Sequence, residues 1–182
     1  MVDFRLETER LTLRSWCRAD VAPFLAMCRD RRVMEFLGPP MEQIDIDEAL
    51  ARQINFQRRH GHCFWAIERR EDGAFLGFCG LKPGPEETPL EGRIEIGWRL
   101  AYHAWGQGYA REAAQASLDW GFAELRDPAI WAVTVPGNVR SWGLMERLSM
   151  QRQAALDFDH PHLAPGNPLR RHIVYAAHRS AD

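Results

Sequence analysis

The sequence predicts a mixed α/β fold: one sheet of about seven strands, mostly antiparallel with a parallel central pair, and helices on both faces. Three observations carry this. Residues 63–69, 75–81 and 93–100 are consecutive strand-like segments, and Glu71-Asp72-Gly73 between the first two is a hairpin turn signal. Residues 93–100 then lead through Trp105-Gly106-Gln107-Gly108-Tyr109-Ala110 into a helix and on to a strand at 130–135, a crossover that makes its two strands parallel. Residues 151–158 and 171–178 supply two further strands. The chain has 182 residues, which suits a single domain, 1–182, with a substantial core.

In chain order, residues 10–16 alternate, with Leu11 and Leu13 on one side and Thr12 and Arg14 on the other, the pattern of a half-buried strand. Asp20 is expected to N-cap a helix to about Arg29, with Pro23 in its first turn. Residues 33–37 form a short helix or turn ended by Gly38-Pro39-Pro40. Asp45 or Asp47 is expected to cap a helix to His60, with Leu50 and Ile54 sharing a face. Arg58, Arg59 and His60 suit the negative end of that helix, and Gly61 stops it. Glycines 77 and 80 mark a bulge or a close backbone approach. Residues 83–89 are an irregular loop. In 93–100, Ile94, Ile96 and Trp98 share one face and Arg93, Glu95 and Arg99 the other. The helix over 108–126 carries small residues at Ala110, Ala114, Ser117 and Gly121, which let it lie close on a sheet. Pro136-Gly137-Asn138 breaks the next strand, and Asn138 or Val139 starts a helix to about Leu148. Residues 159–168 are a loop.

There are 23 basic and 25 acidic residues, a formal net charge of −2, which gives no global attraction to nucleic acid or an anionic membrane. No apolar run approaches a membrane span. Met1-Val2-Asp3-Phe4-Arg5 lacks the charged start and apolar segment of a secretory signal, so a cytoplasmic location is the expectation. The four cysteines, Cys17, Cys28, Cys63 and Cys79, form no C-x-x-C pair and read as buried thiols in a reducing compartment. His60-Gly61-His62-Cys63 has no second pair at zinc spacing, and no metal is expected.

The stretch from Trp105 to Ala110 carries the chemistry. Two glycines allow a tight turn and a close approach to a ligand. The helix that follows presents unpaired N–H groups and the positive end of its dipole. A strand, glycine turn and helix in this order make an anion site suited to the pyrophosphate of a nucleotide-like cofactor; the alternative is a ligand-free glycine turn. The loop lacks the Lys-Ser/Thr pair of a triphosphate-binding turn, which disfavours a nucleotide triphosphatase.

Four segments together resemble the GCN5-related N-acetyltransferase (GNAT) superfamily, nearest to its branch of ribosomal-protein N-terminal acetyltransferases. They are Glu9-Arg-Leu-Thr-Leu-Arg14, Glu95-Ile-Gly-Trp-Arg-Leu100, Gln107-Gly-Tyr-Ala110, and Asn138-x-x-Ser141 followed by Leu144-x-Glu146-x-Leu148-x-Met150. They span most of the chain in the family's order. Three positions depart from the family's pattern: Trp105 opens the loop where Arg or Gln is frequent, Ser149 replaces a glycine, and Trp142 follows Ser141 where many members place a tyrosine acid.

The resemblance implies a GNAT-like fold, acetyl-CoA as co-substrate and a primary amine as acceptor, either a small molecule or a peptide N-terminus, in a monomer or homodimer. It implies that the backbone of Trp105, Gly106, Gln107, Gly108, Tyr109 and Ala110 binds the pyrophosphate and that the backbone near Leu100 and Ala101 pairs with the pantetheine amides. It places a thioester between the strands ending at Leu100 and Val135, where a backbone N–H polarises the carbonyl. An alkylammonium with a pKa near about 10 must lose a proton before attack. Glu95 is the candidate base, with a surface carboxylate paired to Arg93 or Arg99 as the alternative. Asn138 is a candidate for contact with pantetheine or the sulfur, alongside helix capping. Ser141 is a candidate donor to the leaving thiolate, or else a small residue facing the sheet. Tyr102 and Tyr109 read as packing. The loop 157–168, with Asp157, His160 and His162, is the candidate border of the acceptor site. A second functional reading is a non-catalytic sensor of CoA or acyl-CoA.

Overall fold

Two strands at the start of the chain, β1 (Arg5–Glu7) and β2 (Leu11–Arg14), form the outer hairpin of the sheet. They belong to a computed structural model that describes residues 4–179; both ends of the expected 1–182 span, with Met1, Val2 and Asp3, lie outside the described residues. The helices α1 (Val21–Arg29), α2 (Arg31–Met34) and α3 (Gln43–His60) follow. Next come β3 (Phe64–Arg69), β4 (Phe75–Pro83), β5 (Ile94–Leu100), α4 (Tyr109–Glu124) and β6 (Ala129–Thr134). The chain closes with α5 (Val139–Arg147), β7 (Gln151–Arg152), β8 (Phe158–Asp159) and β9 (Arg171–His178). The sheet order is β1-β2-β3-β4-β5-β6-β9-β7, with β8 also on β9. All pairs are antiparallel except β5–β6.

The β3–β4 hairpin turns at Gly73, whose φ is +72°, and the Asp72 carboxylate accepts from Arg69 Nε at 2.9 Å. Leu76 is an extra residue in β4, because Ile67 faces Gly77 while Glu68 faces Phe75. After this bulge the backbones crowd. A Cβ on Gly77 would lie 2.1 Å from the Arg99 carbonyl oxygen, and one on Gly80 2.3 Å from that of Cys63.

Neighbouring residues of β4 point to opposite faces. On one face Ser117 of α4 approaches Cys79, and Gly121 leaves room for Leu81 and Ile130, whose methyls would lie 2.5 and 2.7 Å from an added Cβ. On the other face Phe24 of α1 meets Phe78 edge-on, with ring centroids 6.0 Å apart. The helices thus cover both faces.

Four local expectations are corrected. Among the described residues nine strands replace about seven, because β1 adds an edge and 151–158 is not one strand. A 3₁₀ turn at Ala154–Leu156 interrupts that segment. Its ladder contact is taken over by the Asp157 side chain, which accepts from the Val174 N–H at 3.2 Å and binds Arg152. Asp20 does not cap α1 with its side chain. Its carboxylate accepts from the Cys17 N–H at 2.8 Å across the 3₁₀ turn Arg18–Asp20. Helix α3 starts one turn early, with Glu42 as its N-cap, and Asp45 accepts from the Glu42 N–H at 2.7 Å. Ile54 is 38% exposed, because the buried stripe of α3 runs through Ile46, Leu50 and Gln57 and leaves it at the edge.

Asp20 is 2% exposed and takes both terminal nitrogens of Arg14 at 2.9 Å. Burial alone would raise its pKa, but Arg14 and the Cys17 N–H hold it below the usual carboxylate range. Removing one partner of such a buried pair leaves an uncompensated charge. Asp20→Ala is expected to cost about 3 kcal/mol and lower Tm by roughly 6–12 °C in thermal denaturation. Glu7→Ala, in a surface pair with Arg5, is expected to leave Tm nearly unchanged.

His62 is 3% exposed, and its Nδ1 lies 2.9 Å from the Leu81 carbonyl oxygen, which makes Nδ1 the donor. Burial pushes its pKa below the usual imidazole value. The unfolded chain therefore binds more protons as the pH drops through and below that value, and stability falls by at most about 1.4 kcal/mol per pH unit for one group. Tm is expected to fall between pH 7 and pH 5, and to fall less in His62→Asn. Equal slopes in the two proteins would place the sensitivity elsewhere.

Candidate active site

Strands β5 and β6 pair over two positions, Ile94↔Ile130 and Glu95↔Trp131. Beyond them β5 stays on β4 as far as Leu100, and β6 stays on β9 as far as Thr134. The two strands part, and a gap opens toward their C-terminal ends. The Ala101 N–H donates to the Leu76 carbonyl at 2.9 Å. Backbone direction alternates along a strand, so Trp98 and Leu100 turn their N–H and C=O groups into the gap. This corrects the expectation for Ala101, whose N–H is engaged on β4. The Leu100 carbonyl accepts from the Trp105 indole at 2.8 Å, so only its N–H remains open to a ligand.

The glycine loop lies at the mouth of this gap. Gly106 and Gly108 have φ of +74° and +81°, conformations that side chains other than glycine's rarely tolerate. Arg10, at the entry to β2, clamps the turn. Its Nη1 donates to the Gln107 carbonyl at 3.0 Å, its guanidinium lies 4.6 Å from the centre of the Tyr109 ring, and it pairs with Glu112 at 2.6 Å. Burial would raise the pKa of Glu112, but bonds from the Thr8 hydroxyl and from the N–H and guanidinium of Arg10 hold it below the usual range. A peptide's C=O and N–H point in opposite directions. With the Gln107 carbonyl drawn inward, the Gly108 N–H faces outward, in line with the open N–H groups of the first turn of α4. Such a surface suits an anion. Tyr109 is buried, and Tyr102 packs against Trp105 with centroids 5.1 Å apart.

At the start of α5, Asn138 Oδ1 accepts from the Ser141 N–H at 3.3 Å, which makes it the cap and leaves its amide nitrogen free to donate. Among the described residues the Ser141 hydroxyl has no protein partner. Trp142, where the family often has a tyrosine, donates from Nε1 to the Pro136 carbonyl at 3.0 Å.

On the face of the sheet covered by α1 and α3 lies a cavity of about 740 Å³. Phe64 and Phe78 form its floor, the loop after β4 its rim, and His160 and His162 one edge. The structure divides the two acceptor-side candidates. His160 lines the cavity, where burial and the rings of His172 and His162 push its pKa down. Asp157 does not line it, because its carboxylate is committed to Arg152 and the Val174 N–H.

Glu95 faces the same side of the sheet and is 12% exposed. Its partner is Lys82, directly across on β4, and not Arg93 or Arg99. The Phe64 ring lies over Gly97, 2.6 Å from where a Cβ would sit, and so stands between Glu95 and Arg99. Reading the sequence missed Lys82, Arg10 and the position of Arg99 at the cavity. The alternation of β5 puts Arg99 on the face of Glu95, but no sequence signal pairs Lys82 with Glu95. Among the described residues no group of three or more His, Cys, Asp or Glu is placed to hold a metal ion.

The family description "Acetyltransferase (GNAT) domain" matches residues 10–151. An uncharacterised N-acetyltransferase of Bacillus subtilis, YnaD, is 40% identical over 149 residues, covering 81% of this chain and 83% of that protein. The crystal structure of an acetyltransferase from Agrobacterium tumefaciens superposes with a TM-score of 0.79 at 28% identity, covering 97% of this chain and 95% of that one. RimL, a ribosomal L7/L12 alpha-N-protein acetyltransferase solved with coenzyme A, superposes with a TM-score of 0.78 at 16% identity, covering 98% of this chain and all of that one. At that identity the likeness is one of fold. The parted parallel strands, the glycine loop and these relatives place the chain in the GNAT acetyltransferase family, as an acetyl-CoA-dependent acyltransferase.

Proposed function

We propose that the protein transfers an acetyl group from acetyl-CoA to a primary amine by direct attack in a ternary complex. The observation that carries this reading is the gap between β5 and β6, which has an anion-suited loop at its mouth and a separate cavity on one face of the sheet. Acetyl-CoA supplies the activated acyl group. The N–H groups from Gly106 to Ala110 hold its pyrophosphate, and Trp105 pins the loop to the end of β5. The backbone of Trp98 and the N–H of Leu100 hold the pantetheine arm and polarise the thioester carbonyl. The amide nitrogen of Asn138 and the hydroxyl of Ser141 sit at the thiol side and assist its departure.

The amine enters from the cavity past His160. Glu95 receives its proton through water, with Lys82 keeping the carboxylate in place. Phe64 keeps Glu95 from direct contact with the acceptor, so a water relay is required. The resemblance to the ribosomal-protein branch favours a peptide N-terminus as acceptor, and the reading places the protein in the cytoplasm with no metal in the reaction.

The test is release of free thiol from acetyl-CoA by the purified protein, with and without pools of amines and of peptides. Release stimulated by an amine supports the transferase reading. Thermal stabilisation by CoA without release in any pool would favour a sensor. Absence of both effects would overturn the assignment of the glycine loop.

Two variants test particular roles. Arg10→Ala frees the Gln107 carbonyl and is expected to weaken CoA binding about tenfold, by calorimetry, with kcat little changed. Glu95→Gln is expected to lower kcat/KM about 100-fold at pH 7, and the deficit should shrink as the pH approaches about 10, where the acceptor is already a free amine. A deficit constant with pH would assign Glu95 a structural role.

A further inference from the structure

Among the described residues the cavity holds a guanidinium with no ion pair; Asp45 and Glu48, the acids that line an adjoining pocket with it, lie beyond salt-bridge distance. Arg99 projects from β5 opposite Phe78 of β4, and its guanidinium carbon lies 5.4 Å from the Phe78 ring centroid. Its polar neighbours are sulfurs: Cys28 Sγ at 3.2 Å from Nη1 and Met41 Sδ at 3.6 Å. The thiol is no counter-ion. Burial raises the pKa of Cys28 above its usual value, although Arg99 pulls the other way. The Nε atom of Arg99 is buried without a hydrogen-bond partner, and among the described residues no carboxylate lies within salt-bridge distance of this side chain. A half-buried guanidinium left in this state costs free energy until an anion pairs with it.

The rest of the cavity has the same bias. Arg52 and Lys82 line it but are already matched, by Glu48 at 3.7 Å and by Glu95. Arg59 also lines it, without an ion pair among the described residues, and one acid, Glu86, stands at the rim. The floor is aromatic. Phe64 and Phe78 stack with centroids 5.5 Å apart, and Phe24 closes the side. The volume, about 740 Å³, is that of a small-molecule site.

We propose that the acceptor is a small amine carrying a carboxylate next to an aromatic body, and that Arg99 binds the carboxylate. This rests on the acetyl-transfer reading and narrows its acceptor from amines in general to aromatic amino-acid-like amines. It disfavours polyamines, whose extra charges would face Arg59 and Arg99. It replaces the peptide N-terminus, which the family resemblance alone favours, with a small molecule. Arg99 and Trp98 are adjacent on β5, one directed into the cavity and the other presenting its backbone to the gap. A carboxylate anchored on Arg99 therefore brings the attached amine toward the thioester.

The experiment compares amines that differ only in the carboxylate: phenylalanine with phenethylamine and tryptophan with tryptamine, with spermidine as polycation. Rates are measured by thiol release from acetyl-CoA in wild type, Arg99→Gln and Arg99→Lys, after confirming unchanged CoA affinity. In wild type the carboxylate-bearing member should be favoured at least tenfold in kcat/KM. Arg99→Gln should bring the two near parity, and Arg99→Lys should restore part of the preference. In parallel, calorimetry with CoA present compares N-acetylphenylalanine with N-acetylphenethylamine, a readout that needs no turnover. Tighter binding of the acid, lost in Arg99→Gln, supports the anion site even if no amine in the panel is acetylated, in which case only the transfer reading for these amines fails. Equal binding of the two products, a preference unchanged in Arg99→Gln, or preferred turnover of spermidine would overturn the proposal.

Discussion

Everything at the site depends on β5 and β6 being pulled apart by their other neighbours. β5 has a seven-residue register with β4 and β6 a six-residue register with β9, while the two share only two positions. The longer ladders decide, and the parallel pair opens. A buried backbone group without a partner costs about 1–3 kcal/mol, so a dry, empty gap between two strands is not a stable arrangement. Part of that cost is offset within the chain, where the Trp105 indole satisfies the Leu100 carbonyl. The groups that remain, on Trp98 and on the N–H of Leu100, are those an extended ligand with amides of its own would satisfy.

The glycine loop is held by a residue distant in sequence. Arg10 reaches the Gln107 carbonyl across 97 positions, and Glu112 ties Arg10 and Thr8 to the first turn of α4. The loop's conformation is thus set twice, by positive φ at two glycines and by a partly exposed charge network beside them. The outward-facing amides follow from the inward-facing carbonyl. A turn fixed in this way reorganises little when an anion arrives, which is where preorganised amides gain their strength.

What could be read from the sequence follows from how local each signal is. The β3–β4 hairpin, the glycine turn, the small-residue face of α4 and the strand at 171–178 are written in adjacent residues, and the structure has them. The close backbone approaches at Gly77 and Gly80 were legible for the same reason. Segment 151–158 was not, because its apolar residues suit a strand while the Asp157 side chain replaces the ladder bond through Val174 and Arg152. Asp20 suits a helix cap by residue type; its contact with Arg14 depends on how β2 meets the turn before α1. At the site, the glycine loop and Asn138 stood out by residue type and order. The partner of Glu95 did not, since nothing in the sequence says that Lys82 lies opposite it.

Lys82–Glu95 and Phe78–Arg99 are cross-strand pairs of the same two strands on the same face, four residues apart. At the first, a partly buried carboxylate meets an ammonium and the charges cancel. At the second, an equally placed guanidinium meets a phenyl ring and two sulfurs. The fold can evidently set an acid opposite a base on this face, so the lack of one at Arg99 is not imposed by the backbone. Local rules of this kind are broken most often where a ligand completes the site. A glutamate at position 78 would pair with Arg99 and remove the charge from the cavity, whereas phenylalanine leaves it exposed and supplies an apolar surface beside it. That combination, a cation kept available next to an aromatic wall, matches a molecule with an anion next to a ring far better than it matches another cation.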